Sequence, residues 1–195
     1  MSSEKYIVAA ADNPTQIAIR NILNPSGFIF LSNCNDPISL LRLVRSYNPD
    51  FIVADLGLQL RDLKPIIDTI DDEMICACIL IGQQRDMELG ELQEKSKVVT
   101  LCTKPLNKDL FIHTVDMALL SFKRVFELNK RLRDMTENYE TRKAVERAKW
   151  ILMEREGINE NEAYERMRRK SMDARTPMKA LADAIIFAYE LRDSK

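Results

Sequence analysis

Glycine and proline are scarce in this chain, five and seven among 195 residues, which excludes a loop-rich architecture and leaves room for much helix. Histidine is scarcer still. The one histidine, His113, stands in a helical stretch away from the four cysteines at 34, 76, 78 and 102. A zinc site needs several ligands at loop spacing, so that arrangement excludes the ordinary zinc patterns. Cys76 and Cys78 fall in the apolar run "ICACILI", where strand alternation puts both on one face; the expectation is buried structural thiols in a reducing cytoplasm. No uninterrupted apolar run is long enough to span a bilayer. The opening "MSSEKYIVAAADN" has a lone lysine before a short apolar run ending in aspartate, which suits a first strand better than a signal peptide. A strong net charge is also missing: the chain carries −1. The balance is uneven, however, at +4 from Lys123 onward and −5 before it. An anionic partner is therefore expected for the second half only.

What is present is a soluble composition, 46% hydrophobic and 30% charged, able to bury a real core. Up to about residue 120, short β-rich runs alternate with helical patterns. "KYIVAAA", "FIFLS", "FIVAD", "ACILIG" and "KVVTLC" read as strands, the middle ones apolar throughout, as strands covered on both faces are. "TQIAIRNIL", "PISLLRLVRSY", "LKPIIDTID" and the weaker "ELGELQEK" read as helices. Alternation of this kind predicts an α/β fold, a doubly wound five-stranded parallel sheet with any ligand site at the carboxyl ends of its strands.

The helix after Pro105 does not stop on time. From about Asn107 to Glu156 there is neither proline nor glycine, and about fifty helical residues would run roughly 75 Å at 1.5 Å each. Val125, Leu128, Leu132 and Met135, followed by Tyr139, recur at spacings of three and four, a heptad seam flanked by charges. Burial of such a seam predicts a parallel coiled-coil homodimer, the alternative being that the seam packs within one chain. The stripe Val145, Ala148, Ile151, Leu152 then ends at Gly157, suited to a left-handed cap. Asn159-x-x-Glu162 reads as a capping box opening a helix over 160–173. Thr176-Pro177 reads as an N-cap with proline at the first helical position of a last helix, whose inward residues are Met178, Leu181, Ile185, Ile186 and Tyr189. The domains expected are residues 1–121, a linker helix over 122–141 and a small three-helix bundle over 142–195.

At the predicted strand ends stand Asp12, Asp55 and Lys104-Pro105. Strand ends of a parallel sheet converge, so two carboxylates and an ammonium meet at one rim, a setting for a phosphoryl group arriving on a carboxylate with metal and lysine to stabilise it. Through "NPDFIVADLG" and "CTKPLN" this half resembles the receiver domain of two-component response regulators over nearly all of residues 4–121. The resemblance implies Asp55 as phosphoacceptor, Lys104 as the phosphate-binding lysine, and Mg²⁺ held by Asp12, Asp55 and the carbonyl of Gly57. Three departures accompany it. Ala11 stands where a second acid is usual, Ile81 or Gly82 where a hydroxyl is usual, and Leu101 where an aromatic switch residue is usual. Either the domain is phosphorylatable with an altered relay, or it is a pseudo-receiver that signals through protein contact.

In "RMRRK", Arg166, Arg168, Arg169 and Lys170 crowd one turn of a short helix whose inner face is expected to be Ala163, Tyr164, Met167 and Ser171; Arg175 and Lys179 follow. On charge alone this is a solvated face of a core-forming helix or a phosphate-binding surface. Residues from about Arg142 to Leu191 resemble the ANTAR domain, the RNA-binding module of AmiR- and NasR-type transcription antitermination regulators. The signature "AKWILMEREGINENEAYERMRRKSM" carries that resemblance, with Trp150 where a small residue is frequent. It implies a dimer whose ANTAR units bind paired stem-loops in mRNA leaders and prevent a terminator from forming. The expected RNA-binding residues are Lys149 and Arg168, from the signature, with Arg169, Lys170 and Arg175 from charge and expected exposure. A sensor histidine kinase or a ligand-sensing regulatory protein is the expected signalling partner, with no membrane contact. The alternatives are a phosphorelay or scaffold protein whose helical tail docks a protein, and a DNA-binding response regulator, although no helix-turn-helix pattern is visible. No nucleophile–base pair or cofactor loop lies outside the rim, so no enzyme is expected.

Overall fold

The computed structural model describes residues 4–58, 60–83 and 96–193. Its chain divides into two compact units, Met1–Leu128 and Asn129–Lys195. The first is a parallel sheet of β1 (Lys5–Ala9), β2 (Ile29–Cys34), β3 (Phe51–Asp55), β4 (Ala77–Gly82) and β5 (Val99–Thr103), in the order β2-β1-β3-β4-β5. Helices α1 (Asn13–Leu23), α2 (Pro37–Tyr47) and α3 (Leu60–Asp72) connect the first four strands, and the long α4 (Lys108–Glu156) follows β5. The expected helix "ELGELQEK" lies outside the described residues.

Alternation along the strands builds two cores, one per face of the sheet. Ile7, Ile52 and Leu80 join Leu40 and Val44 of α2 and Leu63, Ile67 and Ile70 of α3 on one face. Tyr6, Val8, Phe51, Val53 and Ile79 join Ile19 and Leu23 of α1 and Phe111 and Val115 of α4 on the other. Each such aliphatic or aromatic side chain removed from water contributes about 1.5–3 kcal/mol. Sheet and flanking helices therefore stabilise each other. Cys34, Cys76 and Cys78 lie in the first core and Cys102 in the second. All four are free thiols. Burial pushes Cys34 up to about 11 and Cys76 to about 12, so these two stay protonated and behave as small apolar groups.

Local sequence explains where the helices begin. The Asp12 carboxylate accepts from the Thr15 backbone N–H ahead of Pro14, and Asp36 does the same for Ser39 ahead of Pro37, each satisfying an otherwise orphaned donor. Asn107 accepts from the Leu110 N–H to open α4.

The second unit packs the last turns of α4 with α5 (Glu160–Asp173) and α6 (Met178–Asp193) around Val145, Ala148, Met167 and Ala182. Leu152, Met178, Leu181, Ile185 and Ile186 close that core. Helix α4 ends at Gly157 with φ +66°, the left-handed cap for which glycine lacks the steric penalty. Asn159 and Glu162 complete the capping box in both directions.

Three local expectations are corrected here. Helix α6 starts at Met178, one residue beyond Pro177, and the Thr176 hydroxyl donates to the Ala174 carbonyl. Tyr164 is 42% exposed, outside the inner face formed by Ala163 and Met167. Val125, the first residue of the expected seam, packs with Phe122 against the core of the first unit.

Candidate functional site

Two candidate sites emerge, a carboxylate–lysine rim in the first unit and a charged helical hairpin in the second. The rim forms because β1, β3 and β5 all point their carboxyl ends the same way. Asp55, the last residue of β3, is only 2% exposed. One carboxylate oxygen accepts from the Lys104 ammonium at 2.7 Å, and the other from the Gly57 backbone N–H at 3.0 Å. A carboxylate this buried needs both partners, because an unpaired charge there would be strongly disfavoured. Lys104 follows β5 and is joined to Pro105 by a cis peptide bond; its own N–H donates to the Gly82 carbonyl at 2.8 Å.

Asp12 lies on the solvent side of this rim. Its carboxylate is held below the ordinary carboxylate range, chiefly by the Thr15 backbone N–H and the Thr15 hydroxyl, with the Lys104 charge contributing. The Lys104 charge thus acts on Asp12, and the rim combines two carboxylates with one ammonium. Asp12, Asp55 and the Gly57 carbonyl offer hard oxygen donors, the chemistry that Mg²⁺ takes. Ala11 adds none. No group of three or more histidine, cysteine or acidic side chains able to hold a metal occurs among the described residues, so a metal here would keep several waters.

The end of β4 settles which residue takes the place of the usual hydroxyl. Ile81 is fully buried in the core on the α1 and α4 face, while Gly82 pairs with Thr103 beside Lys104. Gly82 is therefore the rim position. A Cβ built there would lie 2.6 Å from Leu56 Cδ1 and 3.2 Å from Leu56 Cβ. Leu56 is a determinant that sequence reasoning missed, because a leucine after a strand end carries no chemical signal of its own. Gln16 is another. Its side-chain amide is buried, donates to the Ala10 carbonyl at 2.8 Å and accepts from Asn33, fastening the loop that carries Ala11 and Asp12. Leu101 packs against the core on the α2 and α3 face.

Beside the rim a cleft of about 700 Å³ opens between Ala11, Asp36, Ile38, Gly57, Leu58 and Ile66. It is continuous with the Gly57 side of the site.

In the second unit, Arg168, Arg169 and Lys170 are exposed on α5, and Arg175 is exposed just beyond it with φ +50°. Arg168 makes a long contact of 3.5 Å with Glu165, and Arg166 pairs with Glu156 of α4. Lys149 is placed differently from expectation. It is 7% exposed, and its ammonium reaches Glu146 at 2.8 Å and Glu160 at 2.7 Å. Lys149 fastens α4 to the start of α5, whereas the exposed cations gather further along α5. Trp150 is exposed and meets the Tyr189 ring edge-on, with the Arg155 guanidinium 4.6 Å over that ring. The remaining seam residues Leu128, Leu132 and Met135 are 63%, 62% and 70% exposed. No described helix is long and apolar enough to cross a membrane.

Residues 133–186 match the ANTAR domain family. Over 182 residues the chain is 23% identical to the transcriptional regulatory protein PdtaR of Mycobacterium tuberculosis, spanning 93% of this chain and 89% of that protein. Among solved structures, the fold resembles the signal receiver domain of a putative Luxo repressor protein from Vibrio parahaemolyticus, with a TM-score of 0.54 and 15% identity over 65% of this chain and 97% of that one. It resembles equally the receiver domain of a modulated diguanylate cyclase from Desulfovibrio desulfuricans G20, with a TM-score of 0.56 and 16% identity over 63% and 98% of the two chains.

Proposed function

Since the chain is an ANTAR response regulator, a receiver-fold domain followed by an ANTAR domain, we propose that it is an RNA-binding transcription antitermination regulator of the cytoplasm. The ANTAR unit takes hold of paired stem-loops in an mRNA leader and keeps the leader out of its terminator form. The observation that carries this reading is the match of residues 133–186 to the ANTAR family, together with the exposure of Arg168, Arg169 and Lys170 on one helix of that unit. Guanidinium and ammonium groups on a convex helix attract phosphates, and unpaired loop bases supply the sequence discrimination. The grip is assigned to Arg168, Arg169, Lys170 and Arg175. Lys149 acts behind it, by holding the hairpin in shape.

The receiver-fold unit regulates. Asp55 is the phosphoacceptor and Lys104 the group that would compensate a phosphoryl charge. Mg²⁺ would be held by Asp12, Asp55 and the Gly57 carbonyl, and when bound it lowers the repulsion between the carboxylates and an incoming phosphoryl group. A sensor histidine kinase or a ligand-sensing regulatory protein delivers the signal. Leu128, Leu132 and Met135 pair two copies along α4, so that two ANTAR units meet two stem-loops and the second contact becomes intramolecular.

The test is a binding titration with a two-hairpin leader RNA against duplex DNA of equal charge. RNA should bind more tightly at physiological salt. Arg168→Ala with Arg169→Ala should weaken binding to every loop sequence and lower the slope of log K against log salt by about one unit for each phosphate no longer neutralised. Equal affinity for both nucleic acids, or an unaffected double variant of native helicity, overturns the reading.

A further inference from the structure

We infer that the notch enclosed by the three helices of the second unit is the seat for one unpaired base of the bound RNA loop, with Glu156 as the side chain that discriminates among bases. This rests on the RNA-binding reading and names the place on the protein where a loop base would enter. The notch has a volume of about 100 Å³. Drug-sized ligands occupy clefts of roughly 300–1,000 Å³, so this one admits a single small ring and little else. Its walls come from all three helices, with Leu152 from α4, Met167 from α5 and Ile185 from α6. Met167 is essentially fully buried and Ile185 half-buried, which makes the interior aliphatic, able to cover the apolar faces of a planar base.

The mouth has a different chemistry. Glu156, Arg166 and Lys170 stand around it, and Glu156 pairs with Arg166 across it. Lys170 belongs to the exposed cations of α5, so a phosphate held by that patch keeps its nucleotide within reach of the notch. The net positive mouth complements a nucleotide, whose phosphate is anionic while its base is close to neutral. A carboxylate only accepts hydrogen bonds, so Glu156 selects a base edge that donates. The Glu156–Arg166 pair is solvent-exposed on the arginine side and contributes little to folding; its geometry keeps the carboxylate at the mouth.

The roles predict different responses. Lys170→Ala should lower affinity for all loops alike. Glu156→Gln presents a donor as well as an acceptor, so it should change which base is preferred at one loop position, by roughly five- to hundredfold in relative affinity, and leave other positions unchanged. Ile185→Phe should fill the notch and abolish preference at that same position.

The experiment is selection of the full chain and each variant against a library of two-hairpin RNAs with randomised loops, followed by sequencing, with helicity checked by circular dichroism. The inference holds if the parent chain enriches particular loops and Glu156→Gln alters the preference at a single position. If Ile185→Phe keeps native helicity it should lose preference at the same position; if it unfolds, Glu156→Gln decides alone. The inference falls, with the RNA-binding reading intact, if parent and Glu156→Gln enrich the same loops in the same proportions. Both fall if the parent chain enriches no stem-loop.

Discussion

Gly82→Ala tests the physical reading of the receiver-fold rim in its simplest form. The added Cβ would lie 2.6 Å from Leu56 Cδ1, and 3.2 and 3.3 Å from Leu56 Cβ and Cγ. Carbon atoms in contact ordinarily sit about 3.5–4.0 Å apart, so the overlap reaches about 1 Å. Turning the leucine about its χ angles relieves the Cδ1 contact but leaves Cβ where it is. The Leu56 backbone is in turn pinned by its N–H to the Ile81 carbonyl at 2.8 Å. Overpacking of this kind costs about 1–3 kcal/mol. For a domain of this size that corresponds to a fall on the order of 3–5 °C in Tm per kcal/mol, read on the thermal transition of the receiver-fold unit. Leu56→Ala alone removes a half-buried side chain packed on the core and costs about 1–2 kcal/mol. The double variant is the most informative protein of the series. With Leu56 truncated, the Cβ at position 82 has room, so the pair should be less destabilised than the sum of the singles by about 1–2 kcal/mol. Strict additivity, or a harmless Gly82→Ala in the parent background, would refute the claim that Leu56 fills the space at the end of β4.

Three further outcomes are expected. The carboxylate of Glu160 is held below its ordinary 4.5 by Lys149, and Lys149 is raised above 10.5 by the hydrogen bonds it donates to Glu146 and then Glu160. Their contribution to the helical hairpin is thus present between about pH 4.5 and 10.5, lost as pH falls through the lowered Glu160 value and as it rises through the raised Lys149 value. Lys149→Met, which keeps the packed stem, should flatten both limbs in circular-dichroism melts of the full chain, and unchanged limbs would refute the role given to this pair. Leu128→Asp with Leu132→Asp should give a folded monomer by light scattering, because both side chains are exposed within the chain and carry charge into an apolar seam only on pairing; a variant that stays dimeric places the interface elsewhere. An acyl phosphate donor with Mg²⁺ should transfer one phosphoryl group to the Asp55 carboxylate of the parent chain, releasing the free carboxylate of the donor, and none to Asp55→Asn, as read by intact mass; a mass increase that persists in Asp55→Asn would overturn the assignment of the acceptor.

Much of this protein was legible from residue order alone. Strand runs β3 and β4, the capping box at Asn159 and Glu162, the stop at Gly157 and the span Glu160–Asp173 follow from local rules, since period, capping and left-handed backbone are properties of a few neighbouring residues. So too does the meeting of Asp55 and Lys104, because a parallel sheet gathers its strand ends at one rim. Tertiary structure decided what depends on neighbours distant in sequence. Lys149 carries the same charge as Lys170, yet one is buried between Glu146 and Glu160 and the other is exposed at the mouth of a notch, and no local pattern separates them. Val125 sits in register with Leu128 and Leu132, yet it is already covered by the core of its own sheet. The choice between Ile81 and Gly82 turned on which way the last pleat of β4 faces, and the need for glycine there on Leu56, a residue 26 positions earlier that only the pairing of β3 with β4 brings alongside. Charge and periodicity are written along the chain, but burial is a property of what the chain folds against.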